Sequence, residues 1–267
     1  MDLQLLMICL FTLVIHLIGT LGFSVRIAAV RTRKIALAFA LFNVLVLVSR
    51  TCNTFQTPFL AKRVEDNLSG KAEGLIADFR WIILCATLGT LLGAFLIPTF
   101  QRVFARAVIH FQRHRSLARL VFRGFSLQNL PDVVKTSMKL PALENIRGFE
   151  RPGRFEVKMI ALNVLTVALL TVGVFSALYA GVLNPEYRVT ASSLSAVINR
   201  IATVLMFVLI DPHLSLLTDD VMEGAISESS FRRVVVYLVG ARVAGTLLAQ
   251  ALFLPGAAAI AGLSRLL

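Results

Sequence analysis

Six apolar runs, each near the ~20 residues that a helix needs to cross a bilayer, set the terms on which this chain can fold. They lie at Leu3–Phe23, Ile35–Thr57, Phe79–Pro98, Met159–Leu183, Thr190–Ile210 and Val234–Leu254. With 57% hydrophobic residues over 267 positions, the chain is more apolar than a soluble domain of its length. In hydrocarbon every backbone N–H and C=O must find its partner inside the protein, which an open sheet edge cannot offer. The sequence therefore predicts a single all-α polytopic membrane domain with about six transmembrane helices. The first run does not read as a cleavable signal: Asp2 stands where a positive n-region would, and no small-x-small site follows.

The formal net charge of +12 would point to nucleic acid in a soluble chain. Here it is a topology signal, and no nucleic-acid partner is expected. Segments 24–34, 101–158 and 211–233 hold eighteen Lys and Arg. The opposite side holds six: Lys62, Arg63, Lys71, Arg80, Arg188 and Arg265. The positive-inside rule makes the first set cytoplasmic and places both termini outside. Residues 1–100 then form a first three-helix half and residues 159–267 a second, with a basic cytoplasmic loop, 101–158, between them. In that loop Val103, Phe104, Ala107, Val108 and Phe111 recur at helical spacing, with Arg102, Arg106 and Arg113 between them. This is the pattern of an amphipathic helix lying in the membrane interface against anionic phospholipids. Asp219, Asp220, Glu223 and Glu228 form an acidic, helix-compatible stretch, read as solvated, with docking on the basic loop as the alternative.

The halves share a faint repeat. Phe23-Ser24 and Ala28-Ala29-Val30 precede Arg50, as Phe175-Ser176 and Ala180-Gly181-Val182 precede Arg200. Three spans per half would orient the two repeats oppositely, the inverted plan whose binding sites lie near the midplane.

Arg50, Arg200 and Arg242 lie inside spans, whereas all fifteen acidic residues fall in loops, tails or span ends. An arginine at the centre of a span costs about 2.5–3.5 kcal/mol on insertion scales. Fixed cations without fixed counter-anions imply that the anion is the ligand. The second span turns polar late, from Ser49-Arg50 through Asn53 and Gln56, and the fifth is polar early, from Thr190 to Asn199-Arg200. Both polar halves face the same side and are expected to line a wet cavity. Arg50, Asn53, Gln56, Asn199, Arg200 and Arg242 are the candidate substrate-binding residues, since arginine grips phosphate bidentately and amides complete the oxygen contacts. Arg26, His16, Asp78 and Asp211 are further candidates, the two acids as arginine partners after movement.

Cys9, Cys52 and Cys85 match no metal-ligand spacing and read as packing residues. No metal or cofactor is expected. GxxxxGK[ST], HExxH and GxSxG are absent. Pro255-Gly256 and Ser264-Arg265 are too far apart for the PGxSR element of undecaprenyl-pyrophosphate phosphatases. The sequence thus predicts no covalent catalysis.

Several runs resemble the Amj family of bacterial lipid II flippases. They are Ser24-Val25-Arg26-Ile27-Ala28, Val30-Arg31-Thr32, Leu41-Phe42-Asn43, Leu47-Val48-Ser49-Arg50-Thr51, Asn53-Thr54-Phe55-Gln56 with Pro58, and Leu60-Ala61-Lys62. In the second half they are Val197-Ile198-Asn199, Ala202-Thr203, Asp211-Pro212-His213-Leu214-Ser215 and Thr218-Asp219-Asp220. The resemblance implies a multi-pass protein of the bacterial cytoplasmic membrane. It implies a substrate, lipid II (undecaprenyl-pyrophosphoryl disaccharide-pentapeptide), that is moved to the outer leaflet for peptidoglycan synthesis. The site residues rest on the charge argument alone. The alternatives are a secondary transporter of a small anionic solute, which needs an enclosed site, and an integral-membrane polyprenyl-phosphate enzyme, which needs a carboxylate beside the arginines. The energy source and oligomeric state are open at this level.

The predicted topology is tested with Gly70→Cys and Leu130→Cys in a background without the native thiols. An impermeant maleimide on intact cells should label position 70 and spare position 130; the reverse pattern would overturn the orientation.

Overall fold

Every apolar run is continued by residues compatible with helix, so the helices outlast the hydrocarbon they cross. The computed structural model describes residues 2–70, 74–114 and 154–267, and among these all regular structure is helical. The helices are α1 (Leu3–Thr32), α2 (Ile35–Leu68), α3 (Leu75–His114), α4 (Arg154–Leu183), α5 (Arg188–Leu205), α6 (Asp211–Glu223) and α7 (Glu228–Leu263). A π-helical turn, Met206–Ile210, joins α5 to α6, so that one rod crosses the membrane as the fifth span. Pro212 explains that turn: its ring crowds the carbonyl four residues back and it offers no N–H, so the backbone widens just before it. Six spans result, as the sequence predicts.

Helix α1 runs six residues past Arg26, which the sequence reading placed in a loop. Only Arg33 and Lys34 separate α1 from α2, with Arg33 in the left-handed region (φ 52°) and its N–H capping Ala29 and Val30. The amphipathic stretch after Phe100 is helical, as expected, and continues α3, with Phe104 and Val108 buried against Val25, Ala28 and Ala29 of α1 and Ala38 and Leu41 of α2. Its apolar stripe faces protein. The rest of the expected basic loop, 115–153, lies outside the described residues.

In each half the first helix packs most extensively on the third and next on the second: α1 on α3 and α2, α4 on α7 and α5. First and third helices run parallel. Leu13 meets Gly89, and Leu17 and Thr20 meet Gly93, while in the second half Val164 and Val167 meet Gly245. Helix α1 is antiparallel to α4. Leu5 and Ile8 share a core with Val172 and Phe175 at one end, and Phe23 and Ile27 share one with Met159 at the other. The two halves are thus opposed in direction and alike in the order of their helix contacts. The first core, at the Asp2 end, is sealed by Phe79, Phe175, Tyr179 and Phe253, whose ring centroids are 5.5–6.4 Å apart.

Lipid-immersed helices gain little from the hydrophobic effect when they meet, so close backbone approach and hydrogen bonds hold them. Asn163 donates to the Leu238 carbonyl (3.1 Å) and Ser176 to that of Phe253 (2.9 Å), both tying α4 to α7. Gly89 permits the tightest approach: a Cβ there would stand 2.3 Å from the Leu13 carbonyl oxygen. Gly240 has nothing within 4 Å of its Cβ position. Gly89→Ala is therefore expected to lower stability by about 1–3 kcal/mol, and Gly240→Ala to leave it unchanged or raise it. Melting temperatures of the two variants in detergent check this, and equal effects would refute the packing.

Candidate functional site

The span arginines divide by whether a carboxylate reaches them. Arg26, 8% exposed, places Nη2 3.0 Å from Oδ1 of Asp211 and stacks 5.2 Å above the Phe39 ring. It joins α1 of the first half to the head of α6 in the second. Arg63 donates from Nε to Oδ2 of Asp78 (2.8 Å) and from Nη1 to Asp2, tying α2 to α3 and to the N-cap of α1. The Leu5 amide and then the Arg63 guanidinium hold the Asp2 carboxyl below its ordinary range. At the far end Arg31 bridges to Glu228 (3.3 Å). Arg26, Asp78 and Asp211, candidates for an open site, are thus engaged by protein partners without any movement.

Arg50, Arg200 and Arg242 have no hydrogen-bonded or ion-paired partner among the described residues. Arg50 and Arg200 are exposed, on α2 and α5, the two spans with the least buried surface. These helices do not close on one another. Between their Asp2-end segments, over α4, runs an open groove of about 400 Å³. Ala61 and Glu65 of α2, Leu178 of α4, and Arg188, Val189 and Ser193 of α5 line it. Residues 50, 54, 57, 61 and 65 fall on one helical stripe of α2, and residues 189, 193, 196 and 200 on one stripe of α5. Each arginine therefore sits deeper along a stripe that borders the groove.

The neighbouring amides differ from expectation. Asn53 is exposed. Gln56 is 5% exposed and its Nε2 donates to Thr12 Oγ1 (2.7 Å), so it fastens α2 to α1 and is not open to a ligand. Asn199 packs against Gly173 of α4, with its Oδ1 enclosed and unbonded. The hydroxyls of Thr54, Thr57, Ser193 and Thr203 donate to carbonyls of their own helices, one turn back. Their protons are committed, which leaves the guanidinium groups as the principal donors to an anion.

Arg242 stands apart from the groove, on α7 against α1. A Cβ on Gly19 would lie 2.3 Å from its Nη2. Its Nε, and Nδ1 of His16 one turn away on α1, are closed to solvent and unbonded. No cluster of three potential metal ligands occurs among the described residues. The sequence reading named Asp78 and Asp211 as arginine partners but not which arginines they meet: Arg63 lies 15 residues from Asp78 in the chain and Arg26 lies 185 from Asp211.

The family model described as "Amj: Alternate to MurJ" matches residues 11–264. A protein of Bacillus subtilis (strain 168) named lipid II flippase Amj is 41% identical over 265 residues, covering 98% of this chain and 97% of its own. No solved structure matches.

Paired and unpaired arginines should respond oppositely to removal. Arg63→Ala strands Asp78 beside the core and is expected to cost about 3 kcal/mol. Arg50→Ala and Arg200→Ala remove charges that no carboxylate balances, and stability should hold or rise. Thermal unfolding in detergent measures all three; a loss at Arg50 or Arg200 as large as at Arg63 would mean they too are structural.

Proposed function

This chain belongs to the Amj family, and from that premise we propose that it is a lipid II flippase, a transporter with no covalent step. The similarity to the named flippase along almost the whole chain supports the substrate. The observation that carries the mechanism is the set of three unneutralised arginines, two of them on the stripes bordering an open groove.

Lipid II carries a pyrophosphate, and moving that anion bare through hydrocarbon is prohibitive. Arg50 and Arg200 replace its hydration as the headgroup passes along the groove, with Asn53 and Asn199 beside them. A guanidinium fork matches two phosphate oxygens at once and keeps its charge at any pH the cell offers. The prenyl chain stays in lipid, along the exposed apolar faces of α2 and α5 at Leu47, Phe55, Val197 and Ile201. An open groove suits a lipid-tailed substrate better than a small solute, which calls for an enclosed site. In this reading the protein resides in the bacterial cytoplasmic membrane with both termini outside. The basic end of α3, with Arg102, Arg106 and Arg113, contacts anionic phospholipid headgroups. Outward movement of an anion gains about 2.3 kcal/mol per charge for each 100 mV of inside-negative potential.

A leaflet-resolved lipid II accessibility assay, in cells that depend on this protein alone, tests the reading. Wild type should expose lipid II outside; Arg50→Ala and Arg200→Ala should each abolish exposure while the protein remains inserted, and Lys should restore it only in part. Full flipping by both alanine variants would sink the groove site, and no lipid II exposure by the wild type would sink the function.

A further inference from the structure

Helices α1 and α7, from opposite halves, touch where Arg242 reaches Gly19, and there the packing changes character. Toward the Asp2 end lies the core of Leu5, Phe79 and Phe253; toward the Asp211 end lies that of Phe23, Phe231 and Leu238. Between these apolar layers stand Gly19, His16 and Arg242. We propose that these three residues form a second anion site, separate from the groove arginines, that takes a phosphate or diphosphate group. The choice of ligand rests on the flippase reading; the site itself does not.

Three features converge on it. First, Arg242 is a permanent cation without any acceptor among the described residues, whereas Arg26 and Arg63 each have at least one carboxylate. An unpaired charge in a low-dielectric seam is costly, and an oxyanion is the group that removes the cost. Second, the guanidinium of Arg242 packs into the space that residue 19 leaves by lacking a Cβ; a Cβ there would stand 2.3 Å from Nη2 and push the guanidinium aside. Third, Arg242 Nε and His16 Nδ1 are enclosed and unbonded, on two helices from opposite halves. Together they can donate to oxygens of one group, His16 in the tautomer that carries its proton on Nδ1. An anion held there touches both halves at once, so its affinity depends on how the halves sit against each other.

The test is a binding titration on the full-length protein in nanodiscs of zwitterionic lipid, with inorganic pyrophosphate as the probe. Wild type should bind, and the Arg50→Gln/Arg200→Gln double variant, which removes the groove arginines, should still bind at the second site; the further substitutions are made in that double variant. Arg242→Gln should weaken binding roughly tenfold or more, as loss of a charge-assisted donor pair does. Gly19→Ala should weaken it comparably and His16→Ala by less. If Gly19→Ala fails to insert, Arg242→Lys decides in its place: it keeps the charge but loses the fork, and should bind between wild type and Arg242→Gln. Farnesyl pyrophosphate binding tighter than pyrophosphate would assign the site to a prenyl-linked ligand; competition from added phosphatidylglycerol would assign it to lipid phosphate generally. Binding untouched by Arg242→Gln, lost entirely in the Arg50/Arg200 double variant, or absent from wild type would overturn the proposal. Flipping in cells is read separately, so a failed flipping assay overturns the functional reading and leaves the titration standing.

Discussion

A guanidinium surrounded by hydrocarbon needs an anion within reach, and the source of that anion divides the arginines of this chain into two sets. Arg26 and Arg63 take theirs from Asp211, Asp2 and Asp78. Arg50, Arg200 and Arg242 take none from the described residues. The paired set lies toward the ends of the bundle, where a carboxylate can sit at a helix terminus and still touch water. The unpaired set lies deeper, where a fixed acid would itself be expensive to insert. The protein thus holds its shape with charges it neutralises, and the proposed mechanism assigns the others to the substrate.

The paired charges do topological work as well. Arg63 gathers the N-cap of α1, the end of α2 and the start of α3 at one point, so the first half closes on itself at the Asp2 end. Arg26 crosses to Asp211, immediately after the π turn that Pro212 imposes, and so links the first half to the bend in the fifth span. Between these fastenings, glycines on α3 and α7 let first and third helices of each half come together backbone to backbone. Each half is therefore a tight pair with a more loosely held second helix. Those second helices, α2 and α5, carry Arg50 and Arg200, and the gap between them is the groove.

Element count, helical class, the six spans and the three unpartnered arginines were all legible in the chain, because each depends on local composition. Twenty apolar residues commit a segment to a membrane whatever lies elsewhere, and an acid that is missing from every span interior cannot partner a buried arginine at mid-depth. Helix ends were less legible. Residues 24–32 and 101–114 carry basic side chains and read as loop or interface, but they continue α1 and α3 because Val25, Ala28, Ala29, Phe104 and Val108 bury one another. Burial outweighed the charge signal there, and charge alone could not reveal it.

Which polar groups remain free was a tertiary matter. Gln56 and Asn53 lie three residues apart on one polar stretch, yet Gln56 is spent on Thr12 of α1 and Asn53 faces outward. Arg26 and Arg50 look alike in the chain, but one meets Asp211 across 185 residues and the other meets no acid. Gly19 is one of sixteen glycines in the sequence, and only the approach of Arg242 from α7 distinguishes it. Local composition decides what a segment is and which charges it carries into the membrane, because insertion is a property of the segment. Pairing depends on which surfaces meet, and that is settled only when the helices pack.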